Sequence, residues 1–201
     1  MSAEQPVAVV IAAGGDGNRI GGNKPSRLLG GIPLIARALN FAHLLSDNVA
    51  VAIRRDTQIT LPPDIPLLVD AEANGGPLSA LASALDWAAE SGKRHVLMIG
   101  CDTPFLPHDL LHRLSAIGSD TVAMAKSGDR LHPACALWPV TARAALDDDA
   151  VTGRRSLIGF AETVGYWPVE WPALPFDPFF NINTPDDLAR AEAHLAKQDR
   201  R

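Results

Sequence analysis

Glycines and cations near the start of the chain could bind phosphate. Residues 14–31 contain seven glycines, and Arg19 and Lys24 lie among them. Closely spaced glycines lose much conformational freedom on folding, so such a stretch is typical of a backbone that must approach a ligand closely. Exposed N–H groups at the end of a strand suit an anion, most often phosphate, and the two cations add charged donors. The alternative is a glycine-rich connection whose cations are solvated.

The spacing of these residues excludes two familiar phosphate loops. A Walker A loop needs Gly, Lys and then Ser or Thr in direct succession, whereas Asn23 precedes Lys24 and Pro25 follows it. The dinucleotide-binding fingerprint has a different glycine spacing and opens directly into a helix, which Pro25 would obstruct. We therefore expect a third kind of loop, long enough to wrap a triphosphate.

A carboxylate that could bind a metal follows the apolar segment His95–Ile99. Asp102 lies within the sequence Gly-Cys-Asp-Thr-Pro. A carboxylate directly after a buried strand is costly without a partner, and a hydrated Mg²⁺ ion is a natural one. The alternative is that Asp102 caps the helix that begins after Pro104.

Two amides near the C-terminus, those of Asn181 and Asn183, could bind a polar ligand together. On an extended segment, residues two positions apart face the same side, so both amides can reach one phosphate, one metal-bound water or one pterin edge. Thr184 and Pro185 follow and predict the start of a helix, with Thr184 as its N-cap. Capping by Asn183 or Thr184 is the competing use of this segment.

The elements that would position these groups alternate between strands and helices. Such alternation predicts an α/β fold, namely a Rossmann-like three-layer α/β/α arrangement with a mostly parallel, open sheet and right-handed crossovers. In such sheets ligands bind beyond the carboxyl ends of the strands, where the glycine loop, Asp70 and Asp102 are all expected. We therefore predict one common site, although Asp70 could equally form a turn. The predicted strands are Val7–Ile11, Val49–Ile53, Pro66–Val69 and His95–Ile99, and the predicted helices are Pro33–Leu45, Pro77–Glu90 and Pro107–Ala116.

The second half of the chain has a less regular pattern. Residues 167–180, rich in tryptophan and proline, predict an irregular crossing segment. We expect one domain over residues 1–201, made of two halves at about 1–118 and 119–201. Two further strands, two helices and the C-terminal helix are predicted at Thr121–Ala125, Ala134–Leu137, Val140–Leu146, Arg154–Glu162 and residues 184–198.

Composition excludes several classes of protein. The 201 residues are 47% hydrophobic, enough for one well-buried domain, and the net charge of −5 with no basic block argues against a nucleic-acid surface. No apolar run approaches the roughly 18 residues of a membrane span, and the first residues do not resemble an export signal. Two cysteines without metal-type spacing favour a reduced, cytoplasmic protein and make zinc unexpected.

The sequence resembles the nucleotidyltransferase superfamily, and within it the molybdenum cofactor guanylyltransferases (the MobA family). The stretch AAGGDGNRIGGNK is similar to the signature L-A-G-G-x-x-x-R-M-G-x-D-K, with Ala12 for Leu, Ile20 for Met and Asn23 for Asp. The last change removes a carboxylate beside Lys24. Further resemblances run in order along the chain: the motifs G-P-L at 76–78, C-D-T-P at 101–104, H-P at 132–133, R-R at 154–155 and N-x-N-T-P at 181–185.

The resemblance implies a role for each candidate residue. Lys24 would act on the α-phosphate, Arg19 on the departing pyrophosphate and Asp102 as the Mg²⁺ ligand. Alternatively, Lys24 and Arg19 could be ordinary surface cations, and Arg154 and Arg155 could lie on a solvated helix face. The implied nucleotide-binding set is Ala12, Ala13, Gly14, Gly15, Lys24, Asp70, Gly76, Pro77 and Asp102. The implied acceptor-binding set is His132, Arg154, Arg155, Asn181 and Asn183.

The resemblance further implies an Mg²⁺-dependent transfer of GMP from GTP to molybdopterin that carries molybdenum, with release of pyrophosphate. Transient contacts with molybdoenzymes or other proteins of the cofactor pathway are also implied. Guanine and cytosine stay open as the base, because Ile53, Arg54 and Arg55 stand where relatives place a polar nucleotide contact. The acceptor could instead be a sugar or polyol phosphate, and the chain could instead be a nucleotide-binding regulator without catalytic activity. No pattern resembles a Ser/His/Asp nucleophile set, and an acceptor that arrives ionised would not need one.

Overall fold

The computed structural model describes residues 7–14, 22–55, 57–69, 76–118, 120–146 and 156–198. Arg19, Asp70, Arg154 and Arg155, together with Gly15, lie outside these ranges. The strands are β1 (Val7–Ala12), β2 (Leu28–Leu29), β3 (Ile32–Pro33), β4 (Val49–Ile53), β5 (Leu67–Val69), β6 (His95–Gly100), β7 (Val122–Ser127), β8 (Arg130–Pro139) and β9 (Tyr166–Trp171). Among the described residues, the helices with defined bounds are α1 (Leu34–Leu45), α2 (Pro77–Glu90), α3 (Leu110–Ser115), α4 (Leu157–Val164) and α5 (Pro185–Gln198), with 3₁₀ turns at Lys24–Ser26 and Val140–Ala142. Residues 143–146 are helical as well.

Seven of the strands form one open, mostly parallel sheet in the order β5-β4-β1-β6-β8-β7-β9. Strand β1 pairs in parallel with β4 and β6, whereas β8 runs antiparallel to both β6 and β7. The predicted fold class is confirmed.

Helices cover both faces of this sheet, and both faces of β1 are therefore apolar. Val9 and Ile11 face a core that includes α1 and α3, whereas Ala8 and Val10 face a second core that includes α2 and α4. A strand buried on both sides reads as a continuous apolar run, which is the pattern that predicted it.

A third, smaller cluster holds the C-terminal segment against the β2–β3 hairpin. Leu29, Leu34, Ile182 and Ala191 are fully buried together, and this cluster joins the hairpin, the start of α1, the 181–183 segment and α5. A single residue separates the Lys24–Ser26 turn from the hairpin, so this packing brings Lys24 close to the segment that carries the two asparagines.

Most predicted elements are present, and three predictions are wrong. Residues 167–180 are not wholly irregular, because Tyr166–Trp171 forms the edge strand β9, where Pro168 costs little since an edge strand has one unpaired side. The strand predicted at Ala134–Leu137 spans Arg130–Pro139, because a turn at Gly128 lets it pair with β7. The helix predicted from Pro107 begins only at Leu110.

Among the described residues, no helix is both long enough and apolar enough to cross a membrane.

Candidate active site

Lys24 begins a 3₁₀ turn whose cap is Asn23. Asn23 has φ 45° and ψ 47°, in the left-handed region that asparagine tolerates better than most residues. Its Oδ1 accepts a hydrogen bond of 3.1 Å from Ser26 Oγ. Asparagine in place of the aspartate of the resembling signature therefore fits the geometry of this turn.

The Lys24 ammonium contacts three oxygen atoms from two distant parts of the chain. Its Nζ donates to Asp102 Oδ2, to Asn183 Oδ1 at 2.7 Å and to Asn181 Oδ1 at 3.4 Å. An ammonium has three donors, so these three acceptors use all of them. The side chains of Lys24 and Asp102 are only 8% and 19% exposed, so the lysine charge is balanced inside the protein. Lys24 and Asp102 are therefore in contact, although 78 positions separate them in the chain.

Asp102 is held in place at the carboxyl end of β6. Its backbone carbonyl accepts a hydrogen bond of 2.9 Å from the N–H of Ile182. Gly100 lies beside the carboxylate, and a Cβ at that position would stand 2.5 Å from Asp102 Oδ1. The strand end thus needs a glycine so that the carboxylate can turn back towards Lys24.

The two asparagines face Lys24 because the residue between them faces the core. Ile182 is fully buried against Leu29 and Leu34, which directs its neighbours Asn181 and Asn183 to the opposite side. The segment ends at the α5 cap, where Asp187 Oδ2 accepts the N–H groups of Asn183 and Thr184 at 3.1 and 3.0 Å. Burial raises the pKa of Asp187, but these hydrogen bonds and one from the Thr184 hydroxyl outweigh it, so the net pKa is lowered.

A cavity of about 570 Å³ opens at this end of the sheet. Asp102 and Asn181 contribute to its wall, so the Lys24 cluster borders it. Its volume is typical of a site for one small-molecule ligand. Both halves of the chain line it: Ala12, Gly14, Ala52, Ile53, Arg54, Gly76, Pro77, Ala80, Met98, Gly100 and Asp102 from the first, and Pro133, Ala134, Ser156, Leu157, Ile158 and Asn181 from the second.

Of the described residues implied for nucleotide binding, five line the cavity, Lys24 contacts one of these five, and Ala13 lies apart. Ala12, Gly14, Gly76 and Pro77 line the cavity together with Asp102. Ala13 is buried in the core instead, and its N–H donates to the carbonyl of Ala52 at 2.8 Å.

His132 lies apart from the cavity wall that its neighbours form. The residue is 8% exposed and its imidazole stacks on Phe179, with ring centroids 4.6 Å apart, whereas Pro133 and Ala134 line the cavity. The His132 side chain is therefore a core residue of β8 and is not part of the cavity wall.

Sequence reasoning missed the contribution of α4 to the cavity. Ser156 caps this helix by accepting a hydrogen bond of 3.1 Å from the N–H of Gly159, and Ser156, Leu157 and Ile158 all line the cavity. The N-terminal end of a helix favours negative charge. A serine directly before an apolar run was a signal for this cap, but the helix was predicted to begin three residues before Leu157, at Arg154.

Arg54 was noted only as a departure from the resembling family, yet it lines the cavity at the end of β4. A Cβ on Gly14 would come within 3.0 Å of both the backbone nitrogen and Cγ of Arg54. Glycine at position 14 therefore gives the Arg54 backbone and side-chain stem room beside the cavity.

The two thiols are not nucleophiles. Cys101 and Cys135 are both buried. Burial raises the pKa of Cys135 to about 12 and that of Cys101 further still, so both remain protonated at neutral pH.

The oxygen atoms around Lys24 are of the kind that bind a divalent metal ion. Among the described residues, no group of three or more His, Cys, Asp or Glu side chains could hold a metal ion. Mg²⁺ commonly takes only one or two carboxylates from a protein and completes its shell with water and substrate phosphates. Asp102 supplies one such carboxylate at the rim of the cavity, beside the amide oxygens of Asn181 and Asn183.

Comparison with known proteins gave consistent matches over nearly the whole chain. A family model described as a MobA-like NTP transferase domain matches residues 9–164. The chain is similar to two proteins named molybdenum cofactor guanylyltransferase, one from Cereibacter sphaeroides and one from Rhodobacter capsulatus. Each is 38% identical to it, and each match covers 94% of this chain and 96% of the relative. The crystal structure of molybdopterin-guanine dinucleotide biosynthesis protein A from Archaeoglobus fulgidus has a TM-score of 0.76 and 25% identity, and the match covers 94% of this chain and 99% of that one.

Proposed function

The chain belongs to the family of MobA-like NTP transferases, and from this premise we propose that it transfers GMP from GTP to molybdopterin that carries molybdenum, with release of pyrophosphate. The names of its relatives support guanine as the base and the molybdenum cofactor as the acceptor. The acceptor phosphate attacks the α-phosphorus in line, the bond between the α-phosphorus and the bridging oxygen breaks, and pyrophosphate leaves with the electron pair.

The observation that carries the proposal is the meeting of Lys24 with Asp102, Asn181 and Asn183 at the rim of one cavity. A cation from the glycine-rich loop, a carboxylate from the end of β6 and two amides from the acceptor half are the groups that such a transfer needs. Phosphoryl-type transfer depends mainly on positioning and charge stabilisation, so it needs no covalent intermediate.

Each group has a distinct task in this reaction. Lys24 neutralises negative charge on the α-phosphate, for which one of its three present acceptors must give way. Of the two contacts between Lys24 and a neutral amide, the one to Asn181 is the longer, at 3.4 Å, and therefore the weaker. The Asn181 amide is thus the first to become available to the acceptor. Asn183 keeps Lys24 oriented from 2.7 Å.

The proposal gives each end of the donor a place on the cavity wall. Gly76 caps α2, Pro77 is its first residue, and both line the cavity. The first N–H groups of a helix generally lack a partner within it, so this helix start suits the base of the donor. Ala12 and Gly14 bring the loop backbone to the phosphates. Arg19 on the pyrophosphate, Asp70 near the nucleotide, and Arg154 and Arg155 on the acceptor are proposed from the family resemblance alone.

Asp102 would hold Mg²⁺ together with phosphate oxygens of the donor. The ion, when bound, supplies positive charge to the triphosphate and to the leaving pyrophosphate. The division into a nucleotide-binding half up to about residue 118 and an acceptor-binding half beyond it completes the proposal.

A thermal-shift panel tests the donor. Purified protein is melted with GTP, CTP, ATP or UTP in the presence of Mg²⁺, because a ligand that binds the native state raises its apparent stability. Pyrophosphate release is then measured with each donor and with molybdopterin. We expect GTP alone to give both a clear shift and turnover.

Two results would overturn the proposal. A shift and turnover selective for CTP would make the protein a cytidylyltransferase. Binding of GTP without pyrophosphate release, in the presence of the acceptor and Mg²⁺, would make it a regulator.

A further inference from the structure

Three polar side chains from separate segments meet in the protein core. Ser127 ends β7, His132 lies in β8, and Asp177 lies between β9 and α5. Ser127 Oγ lies 2.7 Å from His132 Nε2 and 3.0 Å from Asp177 Oδ2. Ser127 is only 3% exposed, so water does not replace these hydrogen bonds.

The direction of these hydrogen bonds follows from counting protons. The Asp177 carboxylate can only accept, so the single hydroxyl proton of Ser127 goes to it, and Ser127 in turn accepts from His132 Nε2. Burial lowers the pKa of His132 to about 4, against the opposing effect of the nearby Asp177 carboxylate, so the imidazole is neutral at pH 7. Its one proton is therefore on Nε2, and the chain of donors runs from His132 through Ser127 to Asp177.

This direction excludes a nucleophilic serine. In a Ser/His/Asp nucleophile set, the histidine accepts the serine proton and the carboxylate orients the histidine. Here the carboxylate accepts the serine proton directly, and Ser127 is buried away from the cavity. The trio is built to hold its three segments together.

The trio is linked to the site through Phe179. Asp177 Oδ1 accepts the N–H of Phe179 at 2.9 Å, and the Phe179 ring stacks on His132 with an interplanar angle of 20°. Phe179 is 1% exposed and also packs edge-on against Trp171. Asn181 follows two residues later, within about 7 Å of chain, so little freedom remains between the anchor and the amide.

We propose that Ser127, His132 and Asp177 are positioning residues that fix the 177–183 segment so that the amides of Asn181 and Asn183 meet Lys24. At the far end of the amide pair the α5 cap holds the backbone, and between the amides the Ile182 N–H holds the carbonyl of Asp102. The trio is the only one of these anchors that joins the segment to β7 and β8, as far as the described residues go. The inference rests on the proposed function, because it assigns the trio a purpose in that reaction.

The first experiment compares two identical substitutions of buried serines. Ser127→Ala removes a hydroxyl that joins His132 and Asp177. Ser46→Ala removes one that joins the carbonyl of Val7, at 2.8 Å, to the N–H of Asn48, at 3.1 Å. Ser46 is 8% exposed and lies beside the start of β1, at the opposite end of the sheet from the site, so it is a matched structural control.

We expect Ser127→Ala to lower kcat at least tenfold while KM for GTP changes less than twofold. Ser46→Ala should change kcat less than twofold, although both variants lower the melting temperature. Equal effects of the two substitutions on kcat, or no effect of either, would overturn the positioning role.

A second pair of variants covers the case in which Ser127→Ala does not fold. His132→Gln keeps an N–H donor near the position of Nε2, whereas His132→Leu has none. We expect the Gln variant to retain several-fold more kcat than the Leu variant. Equal kcat values would contradict the donor role of His132.

A third measurement does not depend on the acceptor. In ¹⁵N-labelled protein without substrates, the side-chain amide signals of Asn181 and Asn183 should move in Ser127→Ala and stay in Ser46→Ala. If the wild type binds GTP but does not turn over with molybdopterin, the proposed function fails while this result still tests the trio. Unmoved amide signals in Ser127→Ala would overturn the trio's role even if the wild type is an active guanylyltransferase.

Discussion

Gly100→Ala tests whether the position of the Asp102 carboxylate controls turnover. The added Cβ would lie 2.5 Å from Asp102 Oδ1, whereas ordinary contacts of carbon with a neighbouring heavy atom begin near roughly 3.5 Å. The carboxylate must therefore move by about 1 Å, which changes the geometry of its contact with Lys24 through Oδ2. A misplacement of this size at a reacting centre costs about 100-fold in rate, or about 2.7 kcal/mol in activation free energy.

The fold should tolerate this change. Thr103 Oγ1, at 3.6 Å from the added Cβ, is already at an ordinary distance, and the clash falls on the end of a side chain that is partly exposed. We therefore expect the melting temperature to change by only a few degrees, while pyrophosphate release with GTP, Mg²⁺ and molybdopterin falls about 100-fold. A kcat within twofold of the wild type, in a protein that is folded by circular dichroism, would refute this account of Asp102.

Three further predictions follow from charge, burial and capping. Lys24→Ala should lower turnover at least about 100-fold, whereas Lys93→Ala, which changes an equally buried lysine before the start of β6, should not; similar losses in pyrophosphate release would contradict the role of Lys24. As the pH falls from 6.5 towards 4, the unfolded chain binds a proton at His132 that the folded protein does not. The free energy of unfolding, measured with urea, should therefore fall by about 2 kcal/mol between pH 7 and 5, and by less in His132→Gln. An equal dependence of this free energy on pH in the wild type and the variant would refute the buried, neutral imidazole. Thr184→Ala, which removes the acceptor for the Asp187 N–H at 3.1 Å, should cost about 1 kcal/mol in urea unfolding, and a loss below about 0.3 kcal/mol would deny the cap its role.

Regular elements with strong local signals were predictable from the sequence. Helix α2 lies at Pro77–Glu90 and β4 at Val49–Ile53, both with the predicted bounds, because apolar spacing and flanking turn residues agree there. Strand β9 was not predictable, because Pro168 argues against a strand unless the strand lies at a sheet edge, and edge position depends on the whole topology.

The candidate site was predictable only in part. Two-residue spacing correctly placed the amides of Asn181 and Asn183 on one side, and the buried Ile182 between them is the physical reason. Their shared contact with Lys24 was not predictable, since 157 and 159 positions separate the partners and only tertiary packing brings them together. The same holds for the contacts that join Ser127, His132 and Asp177, because only tertiary packing brings Asp177 to the other two.

The full set of acceptors around Lys24 has a consequence for small anions. Free inorganic phosphate meets an ammonium whose donors are already engaged and whose charge a neighbouring carboxylate already offsets. Such an anion gains little by entering, because it must displace protein oxygens and face the repulsion of Asp102 without compensation elsewhere. A nucleotide that fills the cavity gains contacts along its whole length, so the resting site discriminates in favour of large ligands before any chemistry begins.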